Sequence, residues 1–260
     1  MRARGFTVAA DTAVRRVLAE RGGLVVAVGF YLIVVAVLAG LWRVAAGANG
    51  GEIAGYSALA LTWYIATSEA ATVSLNISMI NDIGTDIGSG GIAVELLRPA
   101  SVLGVRVSAE LGRALPRLAV LAVAGGLLAT AVIGGPPSWP ALALAVPSLV
   151  LAITCNIVAQ HAFAASAFWL RNAGSAWYLY QKLVFVLGGM LIPLEALPGW
   201  LQSVTAVLPF RAMSYAPARL ASGHVEPWLL AQQAGWLLVL AVVAAAVFRA
   251  GERRLQVVGG

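Results

Sequence analysis

The sequence has few of the residues on which soluble enzymes and secreted domains depend. It contains one cysteine (Cys155), one lysine (Lys182) and two widely separated histidines (His161 and His224). A single cysteine cannot form an intramolecular disulfide, and the histidines form no pattern with the spacing of a metal site. Charged residues make up only 11% of the chain, whereas an ordinary soluble domain has about 25%. We therefore expect neither a soluble surface nor a resident metal.

Motifs for nucleotide chemistry and hydrolysis are missing as well. No glycine-rich loop ends in Gly-Lys-Ser/Thr, since Lys182 follows Gln181, so the chain has no P-loop with which to bind ATP. The sequence also has no nucleophile elbow, zincin motif or closely spaced pair of carboxylates. We predict that the chain is not an enzyme and binds no cofactor of its own.

Long apolar segments dominate what remains, because 60% of the residues are hydrophobic. A helix that crosses the hydrocarbon core of a bilayer needs about 20 mostly apolar residues. Six segments meet that requirement, at residues 23–41, 54–79, 116–133, 141–167, 176–194 and 227–248. Glycine- and proline-rich breaks separate them, including a predicted turn at 84–91, and none is long enough for a soluble domain. The chain is predicted to be one membrane domain over residues 1–260.

The distribution of basic residues predicts the orientation. With a cytoplasmic N-terminus, 14 of the 17 Lys and Arg residues fall on the inner side, and only Arg43, Arg211 and Arg219 fall outside. By the positive-inside rule, both termini of a six-span protein are then predicted to be cytoplasmic. The basic residues lie mostly at the ends of apolar stretches, which indicates contact with lipid headgroups and not with nucleic acid.

Residues 1–22 have the pattern of an amphipathic helix. Phe6, Ala10 and Val14 fall on one face, whereas Asp11 and Arg15 fall on another. We predict a helix in the inner headgroup layer; the alternative is a solvated start to the first span.

A charged stripe precedes the third predicted span. Arg106, Glu110, Arg113 and Arg117 recur at steps of four, three and four residues, so Glu110 can pair with either Arg106 or Arg113. The stripe is either a wet helix face or a contact with a soluble partner subunit.

Residues 80–101, which we call the coupling segment, lie on the predicted cytoplasmic side between the second and third spans. A glycine-rich turn leads into a short amphipathic stretch that Pro99 ends. An apolar short helix exposed to water is costly, so this segment is suited to docking in a groove of a neighbouring protein.

The order of residues in this segment resembles that of ABC-2 type transporter permeases, in which an Ile, a Ser or Thr and a Gly precede a Leu-Leu-x-Pro sequence. Here Ile87, Ser89 and Gly90 precede Leu96, Leu97 and Pro99, with one extra glycine. A second similarity follows the fifth span, where Pro198 and Trp200-Leu201 precede Pro209-Phe210. The resemblance extends over the whole chain and is to the small six-span bacterial type.

The resemblance implies an all-α fold of six transmembrane helices. It further implies an N-terminal interfacial helix, a cytoplasmic coupling helix between spans 2 and 3, and short re-entrant or interfacial helices at 195–226, for which Trp200, Phe210 and Tyr215 are the expected membrane anchors. The residues expected to contact the ATPase are Ile92, Val94, Glu95, Leu96, Leu97 and Arg98.

The implied function is the membrane-spanning subunit of an exporter that moves a drug-like, lipid or natural-product substrate out of the cytoplasm. Two separate ATPase subunits would carry ATP and Mg²⁺, and a second permease, different or identical, would complete the complex. Membrane lipid is the other expected partner.

Polar residues inside the predicted spans are candidates for the substrate path, because such residues are costly in lipid and face inward or toward water. The second and fourth spans supply Thr62, Ser68, Glu69, Thr72, Asn76, Asn156 and Gln160. Hydrogen bonding between helices is the alternative explanation. Glu69 is the only carboxylate well inside a predicted span.

Two other functions compete with the exporter. An ion- or proton-coupled carrier would need ionisable residues within its spans, of which Glu69 is the clear case, and it commonly has internal repeats. A non-transporting anchor or assembly factor would use the coupling segment equally well.

Overall fold

The computed structural model describes residues 2–19, 21–96, 101–170 and 174–258 of the chain. These residues are almost entirely helical, with one antiparallel hairpin of β1 (Glu52–Ile53) and β2 (Tyr56–Ser57). The α-helices are α1 Arg2–Ala19, α2 Arg21–Ala48, α3 Ala58–Val73, α4 Met79–Gly88, α5 Ile92–Leu96, α6 Val102–Val132, α7 Trp139–Ala164, α8 Gly174–Leu187, α9 Gly199–Ala206, α10 Tyr215–Ala221 and α11 Trp228–Val258. Short 3₁₀ turns cover Ala165–Phe168, Leu194–Ala196 and Pro209–Ala212. The predicted all-α class is confirmed.

Four helical stretches of the described residues are long and apolar enough to cross a membrane: Arg21–Ala48, Val102–Val132, Trp139–Phe168 and Trp228–Arg254. The second and fifth predicted spans correspond to α3 and α8, which have only 16 and 14 residues. At 1.5 Å per residue they are roughly 24 and 21 Å long, shorter than a hydrocarbon core of about 30 Å. The six-span count stays a prediction.

The helix that contains the third predicted span is longer than the span itself. The span was expected over 116–133, and α6 begins at Val102, with Pro116 inside the helix. The charged stripe and the span are therefore one continuous helix. The glycine-rich turn expected over 84–91 starts later, because Gly84 and Gly88 belong to α4.

Helix α4 forms because its polar and apolar residues separate onto two faces. Met79, Ile80, Ile83 and Ile87 are buried at helical spacing. Before it, the Asn76 side chain accepts a hydrogen bond from the Ser78 N–H at 3.0 Å and so turns the chain after α3. Amphipathic spacing thus outweighs the two glycines.

Helix α1 packs along the N-terminal half of α6. Ala13 is buried, whereas Asp11, Arg15 and Arg16 are exposed on the other side, where Asp11 and Arg15 form an ion pair at 2.9 Å. The approach is close, since a Cβ added at Gly112 would overlap the backbone of Ala10. The side of α1 that carries Ala10 and Ala13 is thus packed against α6; the place of the helix in the headgroup layer stays a prediction.

The bundle has two distinct ends. At the hairpin end, Arg43 Nη2 donates to Val132 O at 2.7 Å and Trp63 Nε1 donates to Gly134 O at 3.3 Å. At the opposite end, which we call the α4 end, Trp177 Nε1 donates to Ile77 O at 2.7 Å, and the Phe168 and Phe248 rings are in edge contact.

The segment 195–226 lies at the hairpin end and contains α9, α10 and two of the 3₁₀ turns. Helix α10 packs against α3 and α7. Trp200 is 70% exposed, but Phe210 and Tyr215 are 7% and 4% exposed. The expectation that Phe210 and Tyr215 anchor the segment at the membrane surface is therefore wrong, because both rings belong to the protein interior.

Candidate functional site

Helix α3 is enclosed by other helices of the bundle. Residues 60–71 are all buried, and α2, α6 and α10 pack against the helix. Its N-terminus is capped by Ser57, whose hydroxyl accepts a hydrogen bond from the Ala60 N–H at 3.2 Å. Because α3 is enclosed, its polar side chains must find partners within the protein or line an internal space.

The hydroxyl groups of α3 mostly bond to nearby backbone. Thr62 donates to Ala58 O at 2.8 Å and Thr72 to Ser68 O at 3.0 Å. Ser68 also reaches across to Met190 O at 2.7 Å. These bonds satisfy hydroxyls that would otherwise be costly inside a helix bundle.

A cavity of about 700 Å³ opens beside the C-terminal half of α3. Its walls come from α2, α3, the link after α3, α6, α7 and α8, and apolar and aromatic side chains dominate them, including Phe30, Trp177, Tyr180 and Phe185. Five of the seven predicted substrate-path residues line it: Glu69, Thr72, Asn76, Asn156 and Gln160. Thr62 and Ser68 are outside its lining.

Glu69 is the unusual side chain of this cavity. It is 6% exposed, and among the described residues its carboxylate has no hydrogen-bond or ion-pair partner. A buried carboxylate without a partner is costly, so this group would be stabilised by a polar or cationic species entering the cavity. Arg117 and Lys182 also line the cavity, at its α6 and α8 walls.

Asn156, Gln160 and Tyr180 form a fixed polar group on another wall. Gln160 Nε2 and Tyr180 Oη donate to Asn156 Oδ1 at 2.9 and 2.7 Å. The Asn156 Nδ2 and the Gln160 Oε1 have no hydrogen-bond partner within the described part of the chain. The N–H groups of Asn156 Nδ2 and the acceptor Gln160 Oε1 are therefore left for a bound molecule.

The coupling segment is tied to α6 through Arg106. Its guanidinium binds both carboxylate oxygens of Glu95, with Nε to Oε2 at 2.8 Å and Nη2 to Oε1 at 2.9 Å, and Nη2 also binds Asp86 Oδ2 at 2.8 Å. A bidentate pair of this kind fixes the relative orientation of the two side chains and also compensates their charges. Helices α4, α5 and α6 thus meet at one arginine.

The residues predicted to contact the ATPase lie in different environments. Ile92 is fully buried in the main hydrophobic cluster, together with Ile83 and Ile87, and so anchors α5 from within the chain. Glu95 is partly exposed on the Arg106 pair. Val94 and Leu96 lie in α5, and Leu97 and Arg98 lie outside the described residues. Glu110 pairs with Arg113 and not with Arg106.

A second arginine cluster, at the hairpin end, was missed by sequence reasoning. Arg219 pairs with Glu195 at 3.2 Å and Glu226 at 3.0 Å and donates to Tyr56 Oη at 2.6 Å. The Tyr56 and Tyr215 hydroxyls both donate to Glu195. These residues are separated by up to 170 positions, and no local pattern connects them.

His224 borders this cluster. Its ring lies 5.1 Å from that of Tyr56, and its Nδ1 lies 3.1 Å from Ser222 Oγ. Partial burial, and then the nearby positive charge of Arg219, lower the pKa of His224 below its ordinary value, while Glu226 and Glu195 act in the opposite direction. The neutral imidazole is the form that the folded chain prefers.

Metal chemistry finds no support in the described ranges, where no group of three or more His, Cys, Asp or Glu side chains could hold an ion. Helix α6 thus connects the cavity, which Arg117 lines, with the ion pairs that Arg106 forms near the surface.

Comparison with known proteins gives one family match. The sequence profile described as ABC-2 family transporter protein matches residues 28–259, nearly the whole chain. A search of curated proteins finds no match.

Proposed function

Because the chain belongs to the ABC-2 family of transporter proteins, and is thus a membrane component that works with ATP-binding subunits, we propose that it is the permease of an ATP-driven exporter. The cargo would be a drug-like, lipid or natural-product molecule. Two copies of the ATPase subunit and a second permease, different or identical, would complete the complex in a bacterial plasma membrane, with both termini in the cytoplasm.

The observation that carries this proposal is the course of α6. Near its N-terminus the helix holds the coupling segment through Arg106, and further along it contributes Arg117 to the cavity. The two arginines are 11 residues apart, or roughly 16 Å along the helix axis. A movement of the coupling segment would therefore shift the cavity wall without any flexible connection between them.

In this mechanism, nucleotide binding draws the two ATPase subunits together and displaces α5. Glu95 passes that displacement to α6 through Arg106, and the buried Ile92 passes it to α4. The cavity beside α3 would then change its opening, as expected for rigid-body alternating access. Glu95 acts as an internal tether as well as a surface residue.

The experiment uses an accessible cysteine in the cavity. Asn76→Cys places a thiol in the lining, whereas the native Cys155 is buried, so background labelling of this chain should be low. In the complex with its ATPase, ATP should change the labelling rate of this thiol by a membrane-impermeant reagent. Arg106→Gln should reduce that response about tenfold, since a coupling loss of ~1.4 kcal/mol has that effect.

Arg15→Gln is the control, because it removes the same charge from an exposed ion pair on α1 while leaving α5 untouched. It should retain the ATP response within roughly twofold, as for an exposed ion pair. An equal response in both variants would contradict coupling through Arg106. A response to a pH gradient in the absence of ATP would favour the ion-coupled carrier, which the unpaired Glu69 makes the second candidate.

A further inference from the structure

A second, smaller pocket lies at the hairpin end and shares no lining residue with the cavity beside α3. It has a volume of about 340 Å³ and lies against α9 and the start of α10. Its polar lining includes Glu195, Gln202, Ser203, Arg211 and Tyr215. The exporter hypothesis assigns no role to this pocket.

Arg211 is positioned in this pocket but has no polar partner. Its guanidinium carbon lies 4.9 Å from the centre of the Tyr215 ring and 5.7 Å from that of Trp228. Among the described residues it makes no hydrogen bond or ion pair, and its Nε is buried without a partner. Two aromatic rings thus contact a cation whose Nη N–H groups have no partner among the described residues.

The carboxylate of the pocket does not neutralise Arg211. Glu195 accepts hydrogen bonds from Tyr56 and Tyr215 and pairs with Arg219. Arg219 is shared between Glu195 and Glu226, and neither carboxylate forms an ion pair with Arg211. The Nη groups of Arg211 therefore have no acceptor among the described residues, and a phosphate oxygen is an acceptor that would satisfy them.

The surroundings of the pocket are apolar and exposed. Trp200, Val204 and Val207 on and after α9 are 70%, 40% and 70% exposed, and Trp228 is 51% exposed. An exposed tryptophan beside apolar residues is typical of the level of the lipid headgroups. The pocket has room for a headgroup, while acyl chains would lie outside it along Val204 and Val207.

We propose that this pocket binds the phosphate of an anionic phospholipid headgroup, with Arg211 as the principal ligand. A planar guanidinium is well suited to bidentate contact with phosphate oxygens. Bound lipid would fix α9 against α10 and so stabilise the connection between α8 and α11. This inference is independent of the identity of the cargo and of the ATPase.

The test is thermal unfolding of the detergent-solubilised full chain with added lipid. Phosphatidylglycerol should raise the Tm by roughly 3 °C at saturating concentrations, and phosphatidylcholine should raise it less. Arg211→Gln should lose that difference, whereas Arg211→Lys should keep part of it. Arg43→Gln removes one positive charge from the same end but not from the pocket, and should behave like the unmodified chain.

If Arg211→Gln folds poorly, a second variant tests lipid binding in the same pocket. Ala206→Trp should fill the pocket while leaving Arg211 in place, and should also abolish the preference for phosphatidylglycerol. An equal lipid shift in the unmodified chain and in Ala206→Trp would overturn the proposal. A shift with inorganic phosphate as large as that with phosphatidylglycerol would overturn the assignment to a lipid.

Discussion

The two ends of the bundle each have an arginine that binds two carboxylates, but the arginines connect different kinds of segment. Arg106 joins α4, α5 and α6, which follow one another in the chain, and its partners Glu95 and Asp86 have side chains 36% and 50% exposed. Arg219 pairs with Glu195 and Glu226, which are 31% and 25% exposed, and also binds Tyr56, which is 163 residues away in the chain. The hairpin end is thus closed by a long-range cluster, whereas the α4 end holds a local segment at the surface.

The comparison predicts that Arg219 contributes more to stability than Arg106, for which we propose a role in transmission. A less exposed cluster that loses its cation leaves carboxylates without compensation, which is destabilising. A more exposed pair costs little to break, because water replaces the partner. The function of Arg106 therefore depends on which helices it connects more than on its contribution to folding.

The largest expected effect tests this contrast directly. Arg219→Gln should destabilise the chain by about 3 kcal/mol, because Glu195 and Glu226 lose their shared cation. Arg106→Gln should cost about 1 kcal/mol, since its partners are better solvated. The measurement is thermal unfolding in one detergent, where the first variant should lower the Tm by roughly 6–12 °C. Equal shifts for the two variants would remove the distinction between the ends.

The contrast also assumes that the helices between the two ends pack rigidly, and two adjacent glycines test this. A Cβ at Gly125 would overlap the Tyr31 hydroxyl, which donates to Ala66 O at 2.8 Å. A Cβ at Gly126 would meet only Trp63, at 3.7 Å. Gly125→Ala should destabilise the protein by about 2 kcal/mol through overpacking.

Gly126→Ala is the matched control and should leave the Tm within roughly 2 °C, because ordinary van der Waals contact requires no rearrangement. If Gly125→Ala were as stable as this control, α2, α3 and α6 would be loosely packed. A loosely packed bundle could not transmit a shift of α6 to the cavity.

Replacement of Glu69 should have a smaller effect on stability, and in the opposite direction. An unpaired carboxylate in the cavity wall is destabilising, so Glu69→Gln should raise stability by about 1 kcal/mol. Thermal unfolding of the unliganded protein is the measurement. Ser68→Ala is a useful comparison, since it removes a hydrogen bond to Met190 O and should lower stability. A loss of stability in Glu69→Gln would mean that the carboxylate already has a favourable partner.

The sequence predicted the parts of the fold that depend on local pattern. Apolar length predicted α2, α7 and α11, and amphipathic spacing predicted the two faces of α1. It could not predict that α3 and α8 are short, because glycine and serine breaks after them lie within runs that remain apolar. The third span was predicted from residue 116, and α6 continues through Pro116 because a proline in a long apolar helix is tolerated when its neighbours pack around it.

The candidate site, like the fold, could be predicted from the sequence only in part. The polar residues within the second and fourth predicted spans indicated Glu69, Thr72, Asn76, Asn156 and Gln160, and all five line the cavity. The partners of Arg106 and Arg219 could not be predicted, because charge pairing across helices depends on rotation and crossing angle. Tyr180 was missed for a related reason, since an aromatic residue in an apolar span carries no signal for its hydrogen bond to Asn156.

The smallest expected effect is the pH dependence of the hairpin end. His224 faces Tyr56, Ser222, Arg219, Glu226 and Glu195, and its pKa in the folded chain lies below the ordinary value of 6.5. As the pH falls through 6.5, the His224 imidazole is therefore protonated in the unfolded chain before it is protonated in the folded chain. The free energy of unfolding decreases over that range, until the folded imidazole is itself protonated. His224→Gln should flatten this dependence, measured as Tm between pH 7.5 and pH 5 on a scale of roughly 1–2 °C.

His161→Gln would not serve as a control, because that ring is buried in α7 and bonded to Ile157 O. The comparison variant is Ser222→Ala, which keeps the imidazole and should keep the slope. A slope unchanged in His224→Gln would show that the carboxylates, and not the histidine, set the response of this end to acid.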